Sequence, residues 1–268
     1  AIESVFNQNF DDWEIIFWDN LSTDKSAVIA NSYGHKLKYY LASKHTELGV
    51  ARNLALNKAS GKYIGFLDCD DLYLKNKLKN QINFMEENRH YSMSYGSSII
   101  INDKGTELKR RITKNKSGNI FGNLLKHYEI SMQTVIIKKS ILDEENLSFD
   151  TKLKFNPDFN LFMKIASSYP VGVLEEPLGK YRVLDDSLSS KTIAIAGKEI
   201  KYTLDELYFS SLNLVDRYKV NFKQAYDKLH YYDAVYALYR NNRDDALREL
   251  RPVVFSRIEY FILYLLVL

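Results

Sequence analysis

The chain has 268 residues, enough to bury a full hydrophobic core as one large domain or as one domain with an appendage. Its hydrophobic fraction of 46% and charged fraction of 26% are ordinary for a soluble globular protein, and its net charge of +3 is too small to indicate a nucleic acid partner. The single cysteine excludes an internal disulfide and a cysteine-rich zinc site, so we expect a reducing, cytoplasmic environment.

The N-terminal part of the chain alternates short apolar strands with helices. It begins at Ala1 without an initiator methionine or a signal-peptide pattern, and we expect that coding sequence is missing upstream. This alternation is typical of α/β proteins and predicts a mostly parallel, doubly wound sheet with helices on both faces. Strands are predicted at residues 13–18, 36–42 and 62–67, and helices at residues 24–33, 49–59 and 74–87.

Beyond residue 90 the pattern becomes less regular. Residues 94–102 and 107–112 flank a turn and predict a β-hairpin. From about residue 194 the apolar residues follow a helical period, which predicts a helical C-terminal extension. Residues 260–268 are uninterruptedly apolar but too few to span a bilayer, so they predict a buried helix, an interfacial helix or part of a membrane segment. Further strands are predicted at 134–137, 171–174 and 178–183, and a helix at 157–167.

Three carboxylates follow the strand at residues 62–67. Asp68, Asp70 and Asp71 would repel one another unless a cation lies among them. The carboxyl end of a strand in an open α/β sheet is where ligands bind, and hard oxygen ligands suit Mg²⁺ or Mn²⁺ together with phosphate oxygens and water. The alternative is an acidic turn that caps the next helix, which would use only one carboxylate. Cys69 lies between acids that disfavour its thiolate, so we expect it to pack rather than to react.

Four other residues are candidates on weaker local signals. Asp19 ends an earlier strand and could accept a hydrogen bond from a nucleobase or a ribose, or simply form a turn. Arg52 could bind phosphate or a base edge, or make a surface salt bridge. Asp158 opens a predicted helix, where a carboxylate could act as a general base or only favour the helix dipole. Arg182 follows a strand and could bind phosphate oxygens.

The order and spacing of several motifs resemble the inverting family 2 glycosyltransferases of the GT-A fold. The resemblance extends from the first residues to about Ser189, roughly seven-tenths of the chain. The most specific motif is ASGKYIGFLDCDD at residues 59–71. The others are SVFNQN at residues 4–9, EIIFWDNLSTD at 14–24, GVARN at 49–53, FNPD at 155–158 and YRVLDDSLS at 181–189.

The resemblance implies a role for each matching residue. On the donor side, Asp19 would recognise the nucleobase with Arg52 nearby, Asp68 would contact the ribose, and Asp70 would bind a divalent metal on the diphosphate. On the acceptor side, Asp158 would deprotonate the attacking hydroxyl. Four further positions belong to the same picture: Arg182 would help to neutralise the departing diphosphate, and Tyr181, Ser187 and Ser189 complete its motif.

The chain departs from the family pattern at several positions. The first strand of the family and its nucleotide-contacting loop are absent, which fits the expected truncation. Residues 20–21 are Asn-Leu where the family has Asp-Gly, and Pro157 replaces the first acid of a pair. Leu184 replaces a histidine that can assist the metal, and leucine cannot coordinate.

These features together predict a metal-dependent hexosyltransferase. The expected donor is a nucleotide diphosphate sugar, UDP-linked, and the expected acceptor is a hydroxyl of a saccharide or lipid-linked saccharide in bacterial surface polysaccharide synthesis. The alternatives are a metal-dependent nucleotidyltransferase and a degenerate domain that only binds. We expect a GT-A domain at residues 1–195, with a nucleotide-binding half at 1–90 and an acceptor half at 91–195, and a helical extension at 196–268. Basic and apolar residues at 248–268 predict peripheral contact with the inner face of a membrane, or packing onto the catalytic body.

Overall fold

The structure is a computed structural model that describes residues 1–184 and 193–268, with only the helical backbone described for residues 193–196. The chain divides into two units. The first contains Ala1–Ile120 and Glu129–Asp185, and the second contains Phe121–Tyr128 and Asp186–Leu268. The sequence-based boundary between residues 195 and 196 stays a prediction, and the structure adds that a short internal segment groups with the C-terminal helices.

The N-terminal part of the first unit contains a small parallel sheet. β1 and β2 pair from Ile15 opposite Leu37 to Asp19 opposite Leu41. The apolar side chains of β1 are only half-buried, although the sequence predicted a buried strand, because among the described strands β1 pairs with β2 alone. The elements are α1 Ile2–Phe6, β1 Ile15–Asp19, α2 Ser26–Asn31, β2 Leu37–Leu41, α3 Leu48–Leu56, β3 Tyr63–Gly65, β4 Leu72–Tyr73 and α4 Lys77–Glu87.

A second sheet forms the centre of the first unit. Its strand order is β3-β7-β5-β8-β4, with β6 paired to the outer part of β5. All nine residues of β5 are buried, so this strand lies at the core. The elements that follow α4 are β5 Met93–Ile101, β6 Glu107–Arg111, α5 Phe121–Lys126, a 3₁₀ turn at Met132–Thr134, β7 Ile136–Lys138, α6 Lys139–Glu144, α7 Pro157–Ser168 and β8 Val171–Arg182.

The α/β class is confirmed, but the strand directions are more mixed than the predicted mostly parallel sheet. β1–β2 and β5–β8 are parallel, whereas β3–β7, β5–β7, β4–β8 and β5–β6 are antiparallel. The connection from β5 to β6 has only five residues, too few for the crossover that a parallel pair needs. The two short strands predicted at 171–174 and 178–183 form one continuous strand, β8, which is irregular opposite residues 96–98.

The second unit is helical. It contains α5 together with α8 Ile193–Ser210, α9 Leu212–Tyr239, α10 Arg243–Leu250, a 3₁₀ turn at Arg251–Val253 and α11 Ile258–Val267. Phe121 of α5 packs edge-on against Tyr218 and Phe222 of α9, with ring centroids 5.1 and 5.9 Å away. A second cluster joins α9, α10 and α11 around Ala234, Leu250 and Val267. Within the described part of the chain, no helix is both long and apolar enough to cross a membrane.

Candidate active site

The three carboxylates predicted at a strand end lie in the loop between β3 and β4. The strand stops at Gly65, earlier than expected, and residues 66–71 form an irregular connection in which the Asp71 amide donates to the Asp68 carbonyl oxygen. Asp68 is exposed, Asp70 is half-buried and Asp71 is only 3% exposed. The acids therefore differ in environment, and the two at positions 68 and 70 are the ones accessible to a ligand.

Asp71 is a structural member of this loop. Its Oδ1 accepts a hydrogen bond of 2.8 Å from the backbone N–H of Arg182. Burial, followed by the negative charges of Asp70 and Asp68, raises the pKa of Asp71 to about 7 despite that hydrogen bond. Burial is the largest cause of this shift, and the charges of Asp70 and Asp68 add the electrostatic repulsion that the sequence predicted for three adjacent acids.

Arg182 ties the acidic loop to the β5–β6 turn. Its Nε donates to the Asp70 carbonyl oxygen at 2.9 Å, and its Nη1 donates to the carbonyl oxygens of Asn102 and Asp103 at 2.8 Å each. Arg182 therefore lies at the site, but its Nε–H and Nη1–H groups are bonded to backbone carbonyl oxygens. Its expected contact with a departing diphosphate stays a prediction, and Ser187 and Ser189 of the same motif lie outside the described residues.

Arg52 and Asp68 form an ion pair at the surface of the loop. Arg52 projects from α3, and its Nη2 lies 2.9 and 3.3 Å from the two carboxylate oxygens of Asp68. The arginine side chain is 14% exposed and the aspartate side chain is 49% exposed. Two residues predicted separately on the donor side therefore contact each other directly, and about half of the Asp68 side chain remains exposed to solvent.

Asp158 lies in the first turn of α7, directly after Pro157 at the helix start, as the sequence predicted. Burial raises the pKa of this carboxyl, the positive charge of Arg52 opposes the shift, and the negative charge of Asp68 adds to it. A carboxylate with a raised pKa is better matched to proton abstraction near neutral pH than an ordinary aspartate. Arg52, Asp68 and Asp158 thus form one interacting group of charges.

Asp19 has no hydrogen bond to that group among the described contacts. It is 2% exposed, and its two oxygens accept 2.7 Å hydrogen bonds from the Ser22 backbone N–H and the Tyr39 hydroxyl. Burial would raise its pKa, but these hydrogen bonds outweigh burial and lower it, so the carboxylate is ionised. The bond to Ser22 is the turn predicted as the alternative role, and nucleobase recognition by Asp19 stays a prediction.

The loop after Asp19 is held in an unusual conformation. Leu21 has φ +67°, in the left-handed region that favours glycine, and this is the position where the family pattern has Gly. Asn20 stabilises the loop because its Nδ2 donates to the Thr46 carbonyl oxygen and its Oδ1 accepts from the Thr46 amide. The departure at residues 20–21 therefore preserves the turn at the expense of backbone strain.

Cys69 is exposed, so the expectation that it packs is wrong, whereas its expected low reactivity is supported. Desolvation of the thiol, followed by the charges of Asp68 and Asp70, raises its pKa, so the thiolate is disfavoured. No role as a nucleophile is indicated.

Two residues near this site received no individual role from the sequence. Asn53 follows Arg52 on α3 and exchanges hydrogen bonds with the backbone of Phe149, and Lys77 of α4 is fully buried behind β3. Asn53 lies inside the GVARN motif, which could have drawn attention to it. Nothing in the local sequence marks Lys77 as buried, because lysine is ordinarily exposed.

Sequence comparisons connect the chain to glycosyltransferases. The family model described as "Glycosyl transferase family 2" matches residues 1–143. An uncharacterized glycosyltransferase of Rickettsia bellii is 36% identical over 188 residues, which are 70% of this chain and 27% of the relative. The chain thus spans little more than a quarter of that protein.

Two relatives of more similar length carry descriptions of their activity. The Escherichia coli protein described as UDP-Glc:alpha-D-GlcNAc-diphosphoundecaprenol beta-1,3-glucosyltransferase WfgD is 30% identical, covering 77% of this chain and 78% of the relative. The Bacillus subtilis protein TuaG, described as a putative teichuronic acid biosynthesis glycosyltransferase, is 29% identical, covering 74% of this chain and 78% of the relative.

Solved structures match over nearly the whole chain. TarS 1–349 of S. aureus in complex with UDP-GlcNAc superposes with a TM-score of 0.65 at 16% identity, covering 92% of this chain and 84% of that one. A mannosyltransferase from Pyrobaculum calidifontis in complex with GDP-Man and Mn²⁺ gives a TM-score of 0.62 at 17% identity, covering 96% and 70%. These matches confirm the GT-A fold.

Proposed function

The chain belongs to glycosyl transferase family 2, and from that premise we propose that it transfers a sugar from a nucleotide diphosphate donor to a hydroxyl of a saccharide acceptor. The observation that carries this proposal is the group formed by Arg52, Asp68 and Asp158. In this group Asp68 is a carboxylate suited to bind a donor, and Asp158 is a carboxyl group suited to remove a proton. A donor-binding loop alone would need no such neighbour.

Asp158 is the proposed general base. It would take the proton from the acceptor hydroxyl while that oxygen bonds to the anomeric carbon of the donor sugar. The bond from the anomeric carbon to the diphosphate oxygen breaks in the same displacement, so the configuration inverts and the nucleoside diphosphate leaves with the electron pair. The raised pKa of Asp158 favours proton uptake.

The donor would bind beside the acidic loop. The exposed oxygens of Asp68 are proposed to accept hydrogen bonds from ribose hydroxyls, and Arg52 keeps this carboxylate in place. Asp19 is proposed to contact the nucleobase, since a carboxylate with two bonded oxygens still has accepting capacity. Arg182 is proposed to stay near the diphosphate, where its positive charge would favour the leaving group.

A divalent metal fits the loop only if the substrate supplies most of its ligands. Over residues 1–184 and 193–268, no group of three or more His, Cys, Asp or Glu side chains could hold a metal ion. The hard carboxylate oxygens of Asp70 suit Mg²⁺ or Mn²⁺, which complete their shells with phosphate oxygens and water. We propose Asp70 as the protein ligand. When bound, the metal would offset negative charge on the departing diphosphate.

The substrate classes follow from the relatives. The description of the E. coli relative names a UDP-linked sugar and a diphosphoundecaprenol-linked acceptor, and the B. subtilis relative is described as a putative teichuronic acid biosynthesis glycosyltransferase. These descriptions support a UDP-sugar donor and a lipid-linked saccharide acceptor in surface polysaccharide synthesis for this chain.

The C-terminal unit supports peripheral contact with the inner face of a membrane. One side of α11 packs into the unit through Tyr260 and Val267, while another side is apolar and exposed. Arginines 251 and 257 precede this helix and would favour an anionic surface. The exposed apolar residues are Ile258, Ile262, Leu265 and Leu266.

Nucleotide release tests the proposed transfer. The chain is incubated with Mn²⁺ and a panel of nucleotide sugars preselected by thermal stabilisation, and released UDP is measured. Asp70→Ala and Asp158→Asn are each expected to lower UDP release at least 100-fold. Asp143→Asn, an exposed aspartate of α6, is the matched control and should retain full activity.

Other products would contradict the proposal. Release of pyrophosphate would indicate a nucleotidyltransferase, and nucleotide binding without turnover would indicate a domain that only binds.

Membrane contact is tested separately by sedimentation with anionic vesicles. Ile262→Asp is expected to reduce the bound fraction, whereas Val28→Asp, at an exposed valine of α2, should not.

A further inference from the structure

Besides Arg52, α3 contains a second residue of interest. Asn53, the residue after Arg52, fixes a segment of backbone that is distant in sequence. Asn53 Nδ2 donates to the Phe149 carbonyl oxygen at 2.8 Å, and the Phe149 amide donates to Asn53 Oδ1 at 2.9 Å. The two residues are 96 positions apart in the chain. A side-chain amide that both donates to and accepts from one peptide unit fixes that unit in orientation as well as in position.

The same segment touches α3 at other points along the helix. A Cβ at Gly49 would lie 3.0 Å from the Asp150 carbonyl oxygen, so the backbone approaches more closely than any other residue would permit without a shift. Lys154 pairs at 3.2 Å with Glu47, the residue that directly precedes α3. This pair is exposed and contributes little energy. The close approach at Gly49 and the bonds of Asn53 define where the segment lies.

Phe149 also connects the segment to the donor-side carboxylate. It is 1% exposed, and its ring packs edge-on against Phe66 at 5.3 Å between centroids. Phe66 begins the connection that carries Asp68. The Arg52 guanidinium carbon, whose group binds Asp68, lies 5.6 Å from the centre of the Phe149 ring. One buried ring therefore contacts both the base of the acidic loop and the arginine that holds its first acid.

We propose that Asn53 is a positioning residue, which holds residues 149–156 against α3 and thereby sets the place of Asp158 relative to Arg52 and Asp68. Pro157 and Asp158 follow this segment directly, at the start of α7. The inference rests on the proposed function, because it assigns Asn53 to the geometry of that reaction. Asn53 is not assigned a contact with a reacting atom and acts only through the backbone that it binds.

The expected kinetic effect is on the chemical step. A displacement of a catalytic group by about 1 Å can cost on the order of 100-fold in rate. Asn53→Ala is therefore expected to lower kcat at least tenfold, with KM for the donor changed less than threefold. Since loosening of the segment exposes Asp158 to water, the acid limb of the kcat profile should move to lower pH.

The first measurement is hydrogen–deuterium exchange followed by mass spectrometry, and it does not depend on activity. Asn53→Ala is expected to speed exchange of the Phe149 amide and of peptides within 147–158 at least tenfold. Asn53→Asp keeps the size of the side chain and the acceptor but loses the donor, so it should act in the same direction if the alanine variant folds poorly. Asn57→Ala, at the exposed C-terminal cap of the same helix, is the matched control and should change nothing.

The outcomes separate this inference from the function on which it rests. Unchanged exchange at residues 147–158 in both Asn53 variants would overturn it, and so would faster exchange with wild-type kcat and pH profile. Faster exchange together with a lower kcat and an unchanged donor KM supports it. A wild-type chain without turnover contradicts the proposed function, while the exchange result still decides whether Asn53 holds the segment.

Discussion

Lys77 is the most unusual single residue of the first unit. It is 1% exposed, its ammonium lies 4.2 Å from the centre of the Tyr73 ring, and a backbone carbonyl oxygen, that of Val135, lies 3.4 Å away. Burial lowers the pKa of Lys77 to about 7. A buried ammonium without a carboxylate is unfavourable, so the residue sheds its proton near neutral pH instead of remaining charged.

This burial predicts a pH-dependent stability. Between about pH 7 and 10.5 the unfolded chain keeps the lysine proton that the folded chain has released, so folding becomes more favourable as pH rises, by up to about 1.4 kcal/mol per pH unit. Lys77→Met removes this titration. The variant should be more stable than wild type at pH 6, and its advantage should shrink steadily above pH 7.

Urea unfolding at several pH values measures the effect. Lys79→Met, which changes an exposed lysine of the same helix, is the control and should leave the shape of the stability curve as in wild type. A constant difference between Lys77→Met and wild type from pH 6 to pH 10 would contradict the prediction.

The candidate site shows which residues a sequence can reveal. Asp68 and Asp70 lie in the loop that follows a strand and Asp158 lies in the first turn of a helix, and their places in the chain follow from local pattern and family motif. The pairing of Arg52 with Asp68 and the bonds from Asn53 to Phe149 depend on how α3 packs, and packing across 96 residues leaves no local signature. Lys77 was missed for the same reason, since its burial is a property of the folded sheet.

At the scale of the elements, the pairing of β5 with β8 determines the central sheet. The parallel register shifts between Gly96 and Ser97, where β8 is irregular. A Cβ on Gly96 would lie 2.5 Å from Leu178 Cδ1 and 3.0 Å from the Leu174 carbonyl oxygen. The side chain could move, but the backbone carbonyl could not without breaking the strand pair.

Gly96→Ala is therefore expected to destabilise the fold by about 1–3 kcal/mol through overpacking. The midpoint of urea unfolding measures the change. Gly34→Ala is the matched control, because nothing lies within 4 Å of a Cβ at Gly34, and its effect should stay within about 0.5 kcal/mol. Equal midpoints for the two variants would show that the sheet accommodates the extra methyl group.

The helices and strands were predictable to the extent that their apolar residues recur at a regular spacing. The helix at residues 157–167 was predicted almost as it occurs, because its apolar residues recur regularly and a proline marks its start. Strand directions were not predictable, since periodicity identifies a strand without identifying its partner. The strand at 62–67 is shorter than predicted: it ends at Gly65, and Phe66 beyond it packs edge-on against Phe149.

At the scale of the whole molecule, the chain passes from the first unit into the second, returns to the first, and then passes into the second again. Residues 121–128 belong with the C-terminal helices although they lie between strands of the first unit in sequence. Phe121 is buried against Tyr218 and Phe222, and Asn221 Nδ2 donates to the Gly122 carbonyl oxygen at 2.7 Å. A division of the chain at one point cannot keep both units intact.

A fragment of residues 1–185 is accordingly expected to expose Phe121 and to bind the dye ANS, whereas the full chain should not bind it at this place. Replacing Phe121 by Gln within the fragment should reduce dye binding, since it removes the uncovered ring. A monomeric 1–185 fragment that binds no more dye than the full chain would contradict the prediction.

The outer edge of β6 carries a consequence for the protein at high concentration. Among the described strands β6 pairs only with β5, and all five of its residues are exposed. An open strand edge is a template on which other chains can add strands and aggregate. Lys109, Arg110 and Arg111 are successive residues of this edge strand. Two copies that approached edge to edge would bring like charges together, so this short basic run opposes pairing of one β6 edge with another.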